Sequence, residues 1–454
     1  MSFEKQMKKH IDQTLDENVP NPYPKKKPSF PHWLKVGVPI ATGVLAASIA
    51  LAVIIPHVAI HKATTTNNGV PVTALAAPKH LGDVTTNSLI VKRTAIKALD
   101  RLNNYFNNPE KKNMVLSPAS YLLATSALLS VSDGFNLEKY GIENAKEETK
   151  TLLESWNCYW DGMKHDRLSY SIDSGVLFQQ VGNDFKLDPN KTKEFEDAYI
   201  ATDIASQSDY VKRASKYFQK TVGLEIPIPD VELPENGGVI AYAALVLKDF
   251  VDTEFASANN DFYVNGSKVS VNTAILGTYE HPMNARTYFE NDEYQGFQFM
   301  IGATNMMIIL PKENISLESI PLSEAFTNVL NSRSYPRIYG YAPYFHLKTN
   351  DFDLSDIFLN DITGNERFFS QILENENALR IDDPGFYLKA LQNSDFEFSS
   401  KGIFGQSVTA IGAGSSGIPS SSEPIEIKVD RPFYAISVKD NFPLFVNKVN
   451  DPRN

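Results

Sequence analysis

NMVLSPASYLLATSALLSV, residues 113–131, changes character at one dipeptide. Met114 to Leu116 suit a short strand, and Ser117 carries the kind of hydroxyl that caps a helix. Pro118 then occupies the first helical turn, where no amide donor is needed. Working outward, residues 86–106 set Leu89, Ile90, Ile96, Leu99, Leu102 and Phe106 near one helical stripe. Residues 169–180 and 296–312 are strand-like, the second ending in an apolar run bounded by Pro311. Residues 261–276 read as a hairpin whose tight turn is Asn265–Gly266, a pair that accepts φ > 0. Residues 423–452 close the chain with β-rich stretches. Helices gather early and strands late, and no linker or internal repeat breaks residues 84–454, so the expected class is α+β with large sheets.

Composition bounds the function. The 454 residues are 42% hydrophobic and 11% aromatic, which supports a sizeable core and excludes wholesale disorder. A net charge of −11 argues against a nucleic-acid partner held by phosphate neutralisation. The single cysteine, Cys158, excludes an intramolecular disulfide and a Cys-based zinc site. Among the aromatics of ESWNCYW it reads as a packed thiol rather than a nucleophile. Gly412-Ala-Gly414-Ser-Ser-Gly417 matches the dinucleotide spacing, but a segment with Pro419 and Pro424 follows where a helix has to begin. Ser415 and Ser416 lack the flanking glycines of a hydrolase elbow. His281 beside Glu280 reads as a loop pair, and Asp351, Asp353 and Asp356 lack calcium-loop spacing and read as a solvated strand edge. No enzyme activity, cofactor or metal is expected.

The N-terminal region has its own logic. Residues 1–35 carry seven Lys against four acids and precede an uncharged run from Val36 to His61, with Trp33 at the near edge. Those 26 residues exceed the roughly 20 that a helix needs to cross a bilayer. The expectation is a basic cytoplasmic tail (1–35), a single transmembrane helix (36–61), a Thr/Asn/Ala/Pro spacer (62–83) and an extracellular domain (84–454), oriented by the positive-inside bias. A cleaved signal peptide is the rival, with an unusually long charged segment.

Several segments, in order, resemble the serpin family of serine protease inhibitors. Residues 113–131 are similar to its strand–Ser-Pro-x-Ser–helix signature. Residues 243–255 (AALVLKDFVDTEF), the hairpin beginning FYVNGSKVSV, FMIGATNMMIILP, and residues 342–370 resemble successive family segments. DRPFYAISVKDNFPLFVNKVNDP resembles its C-terminal signature, with Arg431, Pro432, Phe433, Pro443, Leu444, Phe445, Val449 and Pro452 in place. The resemblance spans roughly residues 84–452 and implies a monomer with a large central sheet. Asn113, Ser117 and Ser120 would lie under that sheet where it parts.

LKALQNSDFEFSSKG, residues 388–402, resembles the strand leading to the family's reactive loop, with Gly402 as the hinge. The loop, residues 403–424, is rich in Ser, Gly and Ala and offers an extended bait. In such proteins cleavage lets the loop insert into the central sheet and distort the attached protease. Insertion forbids proline on the ladder and favours small inward side chains. No Pro occurs from Ile403 to Gly417, and one alternating face reads Ile403, Gly405, Ser407, Thr409, Ile411, Ala413. Ile403 is larger than usual there, and Phe404 begins the other face. Counting along the loop puts the cut between Ser416 and Gly417. Without Lys or Arg from Gly402 to Ile427, an elastase-like or subtilisin-like protease is the expected partner. Ala243, Val251, Gln392 and Ser400 replace the usual Asn, Trp, His and Glu. These departures keep a non-inhibitory surface binding or scaffold protein open as the alternative.

Overall fold

A computed structural model gives the architecture. It describes most of residues 89–453 and a hairpin at 64–67 and 70–73; the longer stretches outside it are 1–63, 74–88, 161–169, 193–206, 232–237 and 406–422. The expected tail and membrane helix therefore lie outside the described residues, among which no helix is long and apolar enough to cross a membrane. Within the expected spacer, Thr64–Asn67 (β1) pairs with Val70–Thr73 (β2). Thr and Val favour strands, and the intervening Asn68-Gly69 is a hairpin signal, so this short pairing has a local cause.

The described helices are α1 (Leu89–Phe106), α2 (Pro118–Ser130), α3 (Leu137–Tyr140), α4 (Ala145–Trp156), α5 (Pro189–Thr192), α6 (Gln207–Val222), α7 (Leu322–Asn331) and α8 (Ser355–Leu359). The apolar stripe of α1 is realised, with Leu99, Leu102 and Phe106 fully buried. At the start of α2 the Ser117 hydroxyl accepts from the Ser120 amide at 3.0 Å, with Pro118 in the first turn.

Three larger sheets frame the core. One six-stranded sheet runs β10 (Thr287–Glu290), β11 (Tyr294–Met300), β12 (Asn305–Pro311), β18 (Phe433–Lys439), β19 (Phe442–Val449), β3 (Met114–Leu116). The strand-like stretch 296–312 is thus two strands, reversing at Ile301–Thr304, where Ile301 N–H donates to Thr304 O. A five-stranded sheet runs β17 (Ile425–Lys428), β13 (Arg337–Pro343), β8 (Ser267–Gly277), β7 (Ser257–Val264), with β9 (Met283–Asn284) also on β13. Its β7–β8 turn is the anticipated one, Asn265 at φ 49° and Gly266 at φ 76°. The third runs β14 (Phe345–Asp353), β15 (Leu391–Ser399), β16 (Gly402–Gly405), β6 (Gly238–Phe250), β5 (Tyr170–Val181), β4 (Cys158–Trp160).

Between the six-stranded sheets runs a chain of ring contacts, Phe299–Phe255–Phe398–Phe345–Phe396–Phe445, with centroids 5.5–6.4 Å apart. Edge-on and tilted contacts of this kind add to plain area burial. One charge sits deep in this frame. Lys448 of β19 has a fully buried side chain whose Nζ lies 2.8 Å from Glu318 Oε1 and donates to Asn108 O at 2.8 Å. Burial alone pushes the Glu318 carboxyl up, but hydrogen bonds from Lys448 and Ser316 outweigh it and hold the group below the ordinary carboxylate range.

A carboxyl more acidic in the fold than in the unfolded chain contributes stability above its unfolded pKa and loses it as pH falls. Lys448→Met leaves Glu318 without its cation and is expected to cost about 3 kcal/mol at neutral pH in urea unfolding. The gap to wild type should narrow below about pH 4.5, the ordinary glutamate value, as Glu318 protonates in both proteins. An unchanged gap at low pH rejects this assignment.

Candidate functional site

The candidate site is the place where β16 enters the third sheet. β15 turns back on itself at Ser399–Gly402, and Gly402 takes φ +123°, a region that favours glycine. β16 then lies antiparallel to both neighbours. Ile403 faces Phe398 on one side and Asp249 on the other; Phe404 faces Glu397 and Lys248. The alternation puts Ile403 inward, with no exposed surface, and leaves Phe404 half-buried. Ile403 thereby joins the main hydrophobic core.

Two sets of polar contacts surround this strand. At the upper rim, Val251 N–H donates to Lys401 O at 3.0 Å and Phe255 N–H to Ser400 O at 2.9 Å. The Ser400 hydroxyl donates to Glu254 Oε2 at 3.1 Å. Asp249, fully buried on the inward face of β6, accepts from Thr304 N at 2.8 Å, Thr304 Oγ1 at 2.6 Å and Gly302 N at 3.3 Å. This carboxylate ties β6 to the β11–β12 turn. The family resemblance does not point to it, although an acid in register with the inward Ala243, Leu245 and Leu247 of AALVLKDF was a readable signal.

The second set lies lower, beneath the gap between β15 and β6. Gln392 of β15 clasps the start of α2: its Oε1 accepts from Ser117 N at 2.8 Å and its Nε2 donates to Ser117 O at 3.1 Å. Across the gap the Ser120 hydroxyl donates to Ala243 O of β6 at 3.3 Å. The Ser117 hydroxyl donates to Leu444 O of β19 at 2.8 Å. Ser117 and Ser120 thus bridge both walls of the gap. Asn113 is placed elsewhere: its amide donates to Asp451 O and its carbonyl accepts from Asn450 N and Asp451 N, fastening the chain's end to β3.

Ser407, Thr409, Ser416 and Gly417 lie outside the described residues. The register of β16 defines the positions that a longer strand would reach. Extended by one residue per step, Ser407 would fall opposite Ser394 and Leu245, and Thr409 opposite Gln392 and Ala243. In that register Thr409 would be the loop residue level with the bridge at Ser117 and Ser120. Outward residues of the same strand would face a second apolar layer. Ile240, Tyr242, Ala244 and Val246 of β6 pack there with Ala214 and Phe218 of α6, and Leu391 of β15 joins them. The loop's other end begins β17, where Ile425 pairs with Ile338 in parallel register. Each end of residues 406–424 is thus fixed in a different sheet. Among the described residues no cluster of His, Cys, Asp and Glu is arranged to hold a metal; Asp353 pairs with Lys389 and accepts from Ser355 N.

A family model described as Serpin (serine protease inhibitor) matches residues 92–452. No curated protein matches the chain. Among solved structures, Serpin48 of the insect Tenebrio molitor is 16% identical with a TM-score of 0.59, covering 82% of this chain and 99% of its own. Arabidopsis AtSerpin1 in its native stressed conformation is 17% identical with a TM-score of 0.57, covering 80% and 99%. Human thyroxine-binding globulin complexed with thyroxine is 17% identical with a TM-score of 0.59, covering 80% and 100%. At these identities the likeness to each is one of fold.

Gln392→Ala removes both bonds to Ser117 and leaves buried backbone groups short of partners. The expected cost to the uncut protein is about 2 kcal/mol, read as a lowered thermal midpoint. A midpoint unchanged within error shows that the clasp carries no weight.

Proposed function

Because the chain belongs to the serpin family, we propose that it inhibits serine-type proteases by offering residues 403–424 as bait and trapping the enzyme that cuts them. The observation that carries this reading is the position of β16. The first four residues after the turn already form an interior strand between β15 and β6. Insertion then needs only continuation along a path whose register, inward room and outward apolar cover are laid out.

The proposed course is as follows. The protease's serine attacks the Ser416 carbonyl, and the amine of Gly417 leaves. The ester so formed keeps the enzyme on the segment ending at Ser416. The cut separates that segment from β17, so β16 can lengthen without dislodging the five-stranded sheet to which Ile425 belongs. Ser407 and Thr409 pass into the gap, the Ser117–Ser120 bridge re-forms around the new strand, and the attached enzyme is carried along and deformed. The small uncharged residues around Ser416 suit an elastase-like or subtilisin-like pocket. The basic segment and apolar run at residues 1–61 support display from a membrane, with the inhibitory domain outside the cell.

A non-inhibitory role on the same fold is the second reading, favoured by Val251 and Gln392 at positions where the family resemblance leads one to expect Trp and His. The test mixes the full chain with pancreatic elastase and with subtilisin. A trap yields an SDS-stable covalent adduct, and the cleaved protein melts at a much higher temperature than the uncut one. Clean cleavage with no adduct and an unshifted midpoint rejects the trap and supports the second reading. Thr409→Arg would place an unpaired charge between Gln392 and Ala243, so the adduct should vanish while cleavage persists. Undiminished adduct in that variant refutes the register.

A further inference from the structure

We propose that Asp249 is a positioning residue that sets the register in which the loop enters the third sheet; this rests on the inhibitory reading above. β6 belongs to a layer that is bonded strongly within itself. It pairs with the full length of β5, from Tyr170–Asp249 to Val181–Gly238, and β4 pairs with β5 beyond it. α6 seals the outer side, where Ala214 and Phe218 pack against Tyr242, Ala244 and Val246. Such a layer can shift along the strand axis without breaking its own ladder, carrying β6 past β16.

Apolar packing does not choose between the registers open to this layer. A slip by one residue turns the inward side chains outward, and burial forbids it. A slip by two residues, roughly 6.8 Å, keeps both faces. The inward Ala243, Leu245 and Leu247 are all apolar, and so are the outward Ala244 and Val246, so the pattern of faces tolerates that shift. The Ser120 hydroxyl is equally permissive. It donates to a backbone carbonyl, that of Ala243 at 3.3 Å, and a carbonyl of the same direction recurs at every second residue of a strand.

Asp249 does choose. It has no exposed surface and stands beside Ile403 in the ladder. Its Oδ2 accepts from Thr304 N at 2.8 Å, Thr304 Oγ1 at 2.6 Å and Gly302 N at 3.3 Å. Those donors sit on a firm support: Ile301 N–H donates to Thr304 O at 3.0 Å, and Phe299 and Met306 on the two strands of the turn are fully buried. A two-residue slip takes the carboxylate away from these donors and sets Leu247 or Val251 beside Ile403 instead. A buried charge without partners is heavily penalised, so that register is closed. β16 already separates β15 from β6 at the rim, so the pin at Asp249 lies where no further parting is needed. It fixes the start of the entering strand without opposing its growth.

The test uses the full chain and pancreatic elastase, and counts the chains cut and released for each SDS-stable adduct formed. Asp249→Asn removes the charge. Thr304→Val, the milder change, keeps the side-chain volume and removes the hydroxyl bond. Each should raise the ratio of released to trapped chains by roughly tenfold, the loss expected for a hydrogen bond to a charged group. The rate of loop cleavage should not change. Thr304→Ser retains both donors and should keep the wild-type ratio. A residue that only stabilises the fold would lower the thermal midpoint of the variants and leave the ratio as it was; an unchanged or lowered ratio therefore overturns the proposal. So does a raised ratio that Thr304→Ser shares. A wild-type chain that forms no adduct rejects the inhibitory reading and the proposal with it, whereas a wild-type adduct with an unchanged ratio in both variants rejects the register role alone.

Discussion

A strand can join the interior of a sheet only where two neighbours part and where side chains on both of its faces find room. Here the neighbours are β15 and β6, and among the described residues they are joined through β16. The lower face of the gap is the aromatic core, and the upper face is the layer closed by α6. A strand covered on both sides cannot follow the half-polar alternation of an edge strand. It has to be small or apolar on both faces and uncharged throughout. Residues 403–417 carry no Lys, Arg, Asp, Glu or Pro, and Gln406 is the one side chain among them that is neither small nor apolar.

The two polar sets around the gap differ in kind, and the difference assigns their roles. At the rim, Asp249 is a buried carboxylate that accepts three hydrogen bonds from Gly302 and Thr304. Charge-assisted bonds are strong, and a buried charge stripped of them is costly, so the rim is built to stay put. Lower down, the bridge consists of amide and hydroxyl contacts from Ser117, Ser120 and Gln392. Neutral bonds of this sort are worth about 1 kcal/mol each and are readily exchanged. The sheet is therefore held by a buried acid beside the start of β16 and by neutral contacts farther along β15 and β6. Burial of Ile403 at the pinned end adds roughly 2–3 kcal/mol of apolar stabilisation, which keeps the first turn of the hinge seated.

Much of this was legible in the sequence because its causes are local. The Ser117 cap, the stripe of α1 and the Asn265–Gly266 turn follow from residue type and spacing. The inward parity of Ile403 followed from alternation, and the left-handed turn into β16 falls on Gly402, the glycine that the resemblance singled out. What escaped was non-local. The reversal at Ile301–Thr304 carries Gly302 but no Asn-Gly or Asp-Gly pair, and it is tied down by Asp249, 53 and 55 residues away in the chain. The β-rich C-terminus gave no sign that β17 and β18, separated by four residues, belong to different sheets. The turn between β18 and β19 uses Asp440 and Asn441 at φ 49° and 71°, residues that tolerate left-handed backbone but do not announce it as glycine would. Gln392 read as a lost contact, whereas its side-chain amide, a donor and an acceptor at once, makes two bonds to Ser117.

That last substitution has a consequence for the conditions under which the gap opens. A histidine at this position would titrate near neutrality, so the strength of the bridge would change between about pH 5 and pH 8. Glutamine carries no charge at any pH in that range, and Ser117 and Ser120 carry none either. The contacts that hold β15 and β6 to α2 are then made by groups that carry no charge in that range. The bridge beneath the sheet is thus built from neutral amide and hydroxyl groups, where a histidine at residue 392 would have made it sensitive to protonation.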